Sequence, residues 1–272
     1  MSLSSLRKWI GQGQDSGVPT FTAHNIRLDD GTYTKPDGTP MDQVPWFVAA
    51  RRILTTVFPQ DRENIRLADL GCLEGGYSVE LARLGFSVTG LEVRESNFAA
   101  CKFVKARTDL PNLTFVKDNA WNLRKYGKFD GVFCCGLLYH LEQPRKFIEM
   151  ISSLTSRIAI FQTHFAATYD IQHPIHNLSP LTTNEGVPGR WFAEFLDKDS
   201  FRKREEHRWS SWDNTRSFWI QREYLLQTIR DAGFDLVLEQ FDGLGEDIAK
   251  SMTEGYYHTD MRGTFIGIKT QA

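Results

Sequence analysis

Cysteine is scarce in this sequence: Cys72, Cys101, Cys134 and Cys135 are the whole complement. No pair has zinc-ligand spacing, and the adjacent two sit in an apolar, strand-like run. Buried reduced thiols are therefore expected, and no metal site. No uninterrupted apolar run is long enough to span a bilayer, and the first residues hold no apolar signal core, so a cytoplasmic protein without a membrane partner is expected. Neither charge sign dominates: 32 Lys and Arg stand against 34 Asp and Glu, a net charge of −2, which gives no overall pull toward nucleic acid or anionic lipid. Repeats and low-complexity tracts are absent too. What remains is an ordinary globular composition in 272 residues, enough for one large α/β domain with additions or for two small domains.

Residues 1–41 are weakly patterned. Leu3, Leu6, Trp9 and Ile10 suit one short amphipathic helix, and the turn signals Asp30-Gly31 and Pro36-Asp37-Gly38 suggest a hairpin or irregular arm. Asp42 is expected to cap a helix with Pro45 in its first turn and Phe47, Ile53, Leu54 and Val57 facing inward, stopped by Pro59. From Leu67 onward strands and helices alternate. Strands are expected at 67–70, 87–91, 113–116, 129–134 and 158–162, helices from near Tyr77, Glu95 and Pro144, and a connector at 124–127. Such alternation implies a parallel sheet with helices on both faces. It lapses over residues 163–220, too long for a plain crossover, so a lid or substrate cap is expected there. It resumes with a helix at 221–232 and strands at 235–239 and 264–268.

The most telling stretch is Leu67-Ala-Asp-Leu-Gly-Cys-Leu-Glu-Gly-Gly76, a strand running into a glycine turn. A pyrophosphate loop reads G-x-G-x-x-G, whereas this one places Leu73 where the second glycine belongs and adds the charge of Glu74. Both disfavour a dinucleotide, while the helix that follows can still hold a smaller anion such as an amino-acid carboxylate. Glu92 ends the second strand, placed to accept two ribose hydroxyls. Asp118 follows the third and suits an adenine amino group, and Cys135-Gly136-Leu137 follow the fourth, beside an adenine and a sulfonium. An amino acid, a ribose and an adenine together describe S-adenosylmethionine.

On these residues, and on D-G-V-F-C-C-G-L-L-Y-H-L-E-Q-P at 130–144, the chain resembles the class I S-adenosylmethionine-dependent methyltransferases. The likeness covers about 61–144, and residues 218–234 look like the family's last helix and strand entry. It departs at Leu73, where a small residue is usual. The resemblance implies a doubly wound, Rossmann-like, mainly parallel seven-stranded sheet with the last strand antiparallel. An N-terminal arm and helix (1–60) would precede the methyltransferase domain (61–272), which carries the insertion after strand five. The implied cofactor contacts are Asp69, Gly71, Cys72, Leu73, Gly75, Glu92, Val93, Asp118, Asn119, Cys135 and Gly136. The L-L-Y-H-L-x-x-P form is similar both to bacterial enzymes that methylate small molecules or sugars and to the wobble-uridine tRNA-modifying branch.

Methyl transfer to a hydroxyl gains from a general base at the carboxyl edge of the sheet. His140 follows strand four and His164 strand five, and either can take a proton near neutral pH. The competing readings are a hydrogen bond at a helix end for His140 and a satisfied core histidine for His164. Tyr139, Trp191, Trp209, Trp212 and Trp219 suit the wall of a flat substrate pocket, or else a satellite core. Arg190, between hinge-like glycines, suits a clamp on an acidic substrate group or a surface ion pair. His173 and His176, with Asp170 or His164, make only a weak metal pattern, since a proline separates them. The mixed charges of 201–208 suit a solvated face. The expected function is methylation of a small molecule, a sugar or natural product, at a hydroxyl. The alternatives are modification of tRNA wobble uridine and cofactor binding without catalysis.

Overall fold

The computed structural model describes residues 18–168, 177–196 and 198–271. The amphipathic residues 3–10 and the Asp170, His173, His176 group lie outside the described residues.

The arm, 18–41, has little regular structure. Isolated bridges join Asn25 to Pro40 and Arg27 to Tyr33, and Ile26 and Leu28 are buried. Helix α1 (Pro45–Val57) starts with proline in its first turn, where the missing N–H costs nothing. Its N-cap is Val44. Asp42 lies in a preceding 3-10 turn and makes no cap, because the proline rather than an acceptor marks the start. Phe47 and Leu54 are the buried face.

The alternation then follows: β1 (Arg66–Leu70), α2 (Gly76–Arg83), β2 (Ser87–Glu92), α3 (Glu95–Lys105), β3 (Leu113–Lys117), β4 (Phe129–Cys135), α4 (Pro144–Leu154) and β5 (Thr155–His164). Between β3 and β4 the expected connector is part of a longer 3-10 segment, Ala120–Tyr126. The cap comes next, with β6 (Thr182–Asn184), β7 (Val187–Ala193), α5 (Phe201–Glu206) and β8 (Arg216–Ile220). The chain ends through α6 (Arg222–Asp231), β9 (Leu236–Gln240), α7 (Ile248–Thr253), α8 (Tyr256–Asp260) and β10 (Arg262–Ile268).

The main sheet has seven strands in the order β3-β2-β1-β4-β5-β10-β9. Its first five are parallel, and β10 runs antiparallel to both neighbours. Alternate residues feed the two faces: Cys134 and Phe161 join one core with Phe147 and Phe234, while Phe133 and Ile160 join the other with Phe47 and Phe86. The order reverses between β1 and β4, which opens a crevice at their carboxyl ends.

The cap is built around a three-stranded antiparallel sheet, β6-β7-β8. It is stitched to the main body by backbone bonds from Phe218 N to Leu141 O and from Ala166 N to Ile220 O. Its turn residue Glu185 also accepts from the amides of Arg145 and Lys146, capping α4, whose own N-cap side chain does not. Among the described residues no helix is long and apolar enough to cross a membrane.

Candidate active site

The glycine loop makes its turn with three left-handed residues: Gly71 at φ 66°, Leu73 at φ 53° and Gly75 at φ 86°. Gly75 cannot be replaced without movement, since a Cβ there would lie 2.6 Å from the Phe115 ring. Leucine in this region costs roughly 1–2 kcal/mol. An offset comes from its amide, which donates to Glu92 Oε2 at 2.9 Å. The loop is thus bent by a bond to the very carboxylate expected to hold the ribose.

Glu74 is fully buried and turned to the arm. It accepts from the amides of Thr22, Ala23 and His24 and from the Thr22 hydroxyl. Its charge is spent on fastening residues 22–24 rather than on repelling a phosphate. His24 Nδ1 in turn accepts from Gly76 N–H at 3.0 Å, capping α2. Burial pushes His24 down to about 4, against the opposing pull of Glu74, so the ring is neutral and able to accept. That amide is therefore already taken where a ligand carboxylate was expected.

Asp69, Cys72 and Gly75 do not line the cavity at the carboxyl ends of the strands. Asp69 accepts from Ser78 Oγ at 2.6 Å, and burial raises it to about 7. Cys72 faces Cys101, with sulfurs 3.9 Å apart, and burial pushes both thiols up.

A cavity of about 440 Å³ runs along the carboxyl ends of β1 to β4 and under the cap. Of the expected cofactor contacts, Gly71, Leu73, Glu92, Val93, Asp118, Asn119, Cys135 and Gly136 line it. Glu92 is buried, accepts from Leu73 N and from Arg94 N, and is raised by burial to about 7. The Asn97 side chain also bonds to it, and its two oxygens together still have acceptor capacity for a further donor. Asn97, on the same wall, is buried with Oδ1 lacking a partner. Acceptors of this kind fit the hydroxyls of a nucleoside. Asp118 is different. Asn119 N, Asn122 Nδ2, Lys125 Nζ and Tyr126 Oη fill its acceptor positions. Although desolvation works the other way, these bonds hold it down at about 2. An adenine amino group would have to displace one of them.

At the other end of the cavity stand Tyr139 and His140. His140 Nδ1 is 2.7 Å from Glu194 Oε1, in the cap. The Glu194 side chain is 1% exposed and also accepts from Ser211 N and Ser217 Oγ. Burial alone would raise Glu194; the His140 ring and these bonds outweigh it and leave the carboxyl below its ordinary value. Asn214 Nδ2 donates to the His140 carbonyl. A second cap contact comes from Arg94, which the sequence did not single out. Its guanidinium donates to the carbonyls of Arg204, Glu205, Ser210 and Ser211 and lies 5.3 Å from the Trp212 ring centroid.

Four expected acceptor-site residues fall elsewhere. His164 does not line the cavity: its Nδ1 lies 2.6 Å from the Asp260 carbonyl and its ring stacks on Trp219, centroids 4.6 Å apart. Trp219 is 1% exposed and donates to the Tyr139 carbonyl, so it supports the wall from behind. Trp191 packs edge-on against Phe218 under Arg216. Arg190 is buried and donates to the carbonyls of Ala167 and Ser179. Trp209 and Trp212 do line the cavity, on the loop 208–214.

An α/β sheet with this strand order, a bent glycine loop and a buried carboxylate at the end of β2 are the frame of a class I nucleoside-cofactor fold. A family model described as a methyltransferase domain matches residues 46–239, and the chain belongs to that family. It is similar to a putative methyltransferase of Geobacillus sp. (strain WCH70), 30% identical over 46% of this chain and 52% of that protein. It also resembles the tRNA U34 carboxymethyltransferase of Campylobacter hominis, 32% identical over 37% of this chain and 36% of that one. The chain thus spans about half and about a third of the lengths of these relatives. Among solved structures, the N-terminal domain of EvdMO1 in the presence of S-adenosylhomocysteine and D-fucose matches with a TM-score of 0.63, 23% identity, and coverage of 97% of this chain and 93% of that one. The chain thus carries a methyltransferase domain.

Proposed function

We propose that the enzyme methylates a hydroxyl of a polar small molecule, of sugar or natural-product type, with His140 as the general base. The observation that carries the reading is that His140 and Glu92 line one cavity, with the Nδ1 of His140 engaged by a buried carboxylate. If Nδ1 keeps the proton, Nε2 is left with the lone pair that a base needs. When bound, the cofactor supplies a methyl carbon activated by its sulfonium. Glu92 and Asn97 suit its ribose hydroxyls, the backbone of Gly71 and Leu73 its amino-acid end, and Val93, Asn119, Cys135 and Gly136 the walls of its base. Asp118 works indirectly, by bracing residues 119–126.

Loop 208–214 supports a sugar-like acceptor. It sets Trp209 and Trp212 beside Asp213 and Asn214 on the cavity, a mixture of flat apolar faces and hydrogen-bonding groups that suits a polyhydroxylated ring. The D-fucose present with EvdMO1 points the same way. The tRNA-modifying relative favours a second reading, with wobble uridine as the acceptor.

Labelled S-adenosylmethionine should be offered with a panel of 6-deoxyhexoses, beginning with D-fucose, and their nucleotide-linked forms, with polyphenols and tRNA alongside. Label should enter a small-molecule hydroxyl, and His140→Asn should lower kcat by about 10²–10⁴-fold while cofactor binding is kept. Unchanged transfer by His140→Asn would remove the base. Labelling of tRNA alone, with steeply salt-dependent binding, would replace the acceptor class.

A further inference from the structure

Glu194 belongs to the cap and does not itself line the cavity, yet it is among the most deeply buried carboxylates near the site. Such a group needs donors. Three are within reach, and each comes from a different place: the ring of His140 after β4, the amide of Ser211 in loop 208–214, and the hydroxyl of Ser217 on β8. Ser211 faces two ways. Its N–H goes to Glu194, and its C=O takes a bond of 2.6 Å from Arg94. The amide of Arg94 in turn donates to Glu92 at 2.8 Å. An unbroken series of bonds therefore joins the ribose-type carboxylate to the histidine: Glu92, Arg94, Ser211, Glu194, His140.

We infer that Glu194 is the positioning residue for His140, and that the cap delivers it. The inference rests on the reading of His140 as the base. The carboxylate accepts Nδ1–H, which holds the neutral ring in one tautomer and turns Nε2, as acceptor, to the cavity. It also stabilises the imidazolium formed when the acceptor hydroxyl gives up its proton, as a buried carboxylate does for a histidine base generally. The Arg94–Ser211 link makes this arrangement depend on a cap seated on the cofactor-binding strand. Loss of that link would leave His140 without its partner.

The tautomer can be read directly. Long-range nitrogen–proton spectra of ¹⁵N-histidine-labelled enzyme bound to S-adenosylhomocysteine, at alkaline pH, should show His140 as the Nδ1–H form. In Glu194→Gln, whose amide can present either a donor or an acceptor, that pattern should be lost in favour of a mixture with Nε2–H, with no change in the dissociation constant for S-adenosylhomocysteine. Arg94→Lys, which removes the fork without the charge, should give the same mixture and serves if Glu194→Gln fails to fold. An Nε2–H ring in the parent, or an unaltered Nδ1–H ring in the variants, overturns the inference. Failure of the base itself is a separate result: it would show as undiminished transfer by His140→Asn in the labelling assay, whatever the tautomer.

Discussion

Glu92 gathers more of the site than any other side chain, and its replacement should be decisive. Hydrogen bonds to a charged acceptor are worth about 1.5–3 kcal/mol each. Glu92→Ala would also free the strained Leu73 loop, so titration calorimetry should show S-adenosylhomocysteine binding weakened at least about 10²-fold; binding within a factor of a few of the parent would contradict this. A second expectation concerns His24. Its pKa in the fold, about 4, lies below its ordinary 6.5. The stability it contributes is therefore complete above 6.5 and is lost as the pH falls toward 4, when protonation breaks the bond from Gly76. Asp69 and Glu92, both raised, act in the opposite sense, favouring the fold on acidification. The His24 effect is isolated by comparison with His24→Asn, which accepts but does not titrate: hydrogen exchange at residues 22–26 should accelerate relative to that variant only within the window 6.5 to 4. At this scale Glu92 was legible because a strand end fixes where a carboxylate points. Glu194 and His24 carry no local signal; their roles arise from contacts across 54 and 52 positions of chain.

The elements that could be read in advance are the buried parallel strands, whose apolar runs need no partner to be recognised. Where reading failed, a tertiary contact decided. The cap was expected only as a lid, without its sheet, because β6 is just Thr-Thr-Asn and β7 carries a proline and a glycine. The four tryptophans expected on the pocket wall divide, two lining it and two behind it, since sequence spacing does not reveal which face of β7 and β8 meets the main body. Among these elements the union of cap and core rests heavily on Arg94. Arg94→Ala would remove the guanidinium donor from four cap carbonyls, one of them buried, and loss of even one charged bond of about 1.5 kcal/mol corresponds to roughly a tenfold change. Hydrogen exchange across 204–214 should rise by at least about tenfold while β1 to β5 stay protected. Equal protection in parent and variant would mean the cap is held elsewhere.

For the molecule as a whole, the cavity lies where arm, glycine loop and cap converge, so a ligand held there should stabilise all three together. S-adenosylhomocysteine at about a hundred times its dissociation constant should add about 2.7 kcal/mol and raise Tm by roughly 5–10 °C for a chain near this size. A transition that splits in two on adding ligand would show the cap melting apart from the sheet. The seven-stranded order itself was foreseeable only through family likeness, because alternation alone does not dictate which strands are neighbours. One detail of the cap bears on how such an enzyme changes over time. Ser211 joins the two halves of the site through its peptide groups, not its side chain. Substitutions along loop 208–214 can therefore remodel the surface that meets the acceptor while the link between Arg94 and Glu194 stays in place. Gaining or losing one residue there would shift the peptide and break it. Point changes in this loop should thus alter the preference for an acceptor, whereas a change in its length should cost His140 its partner.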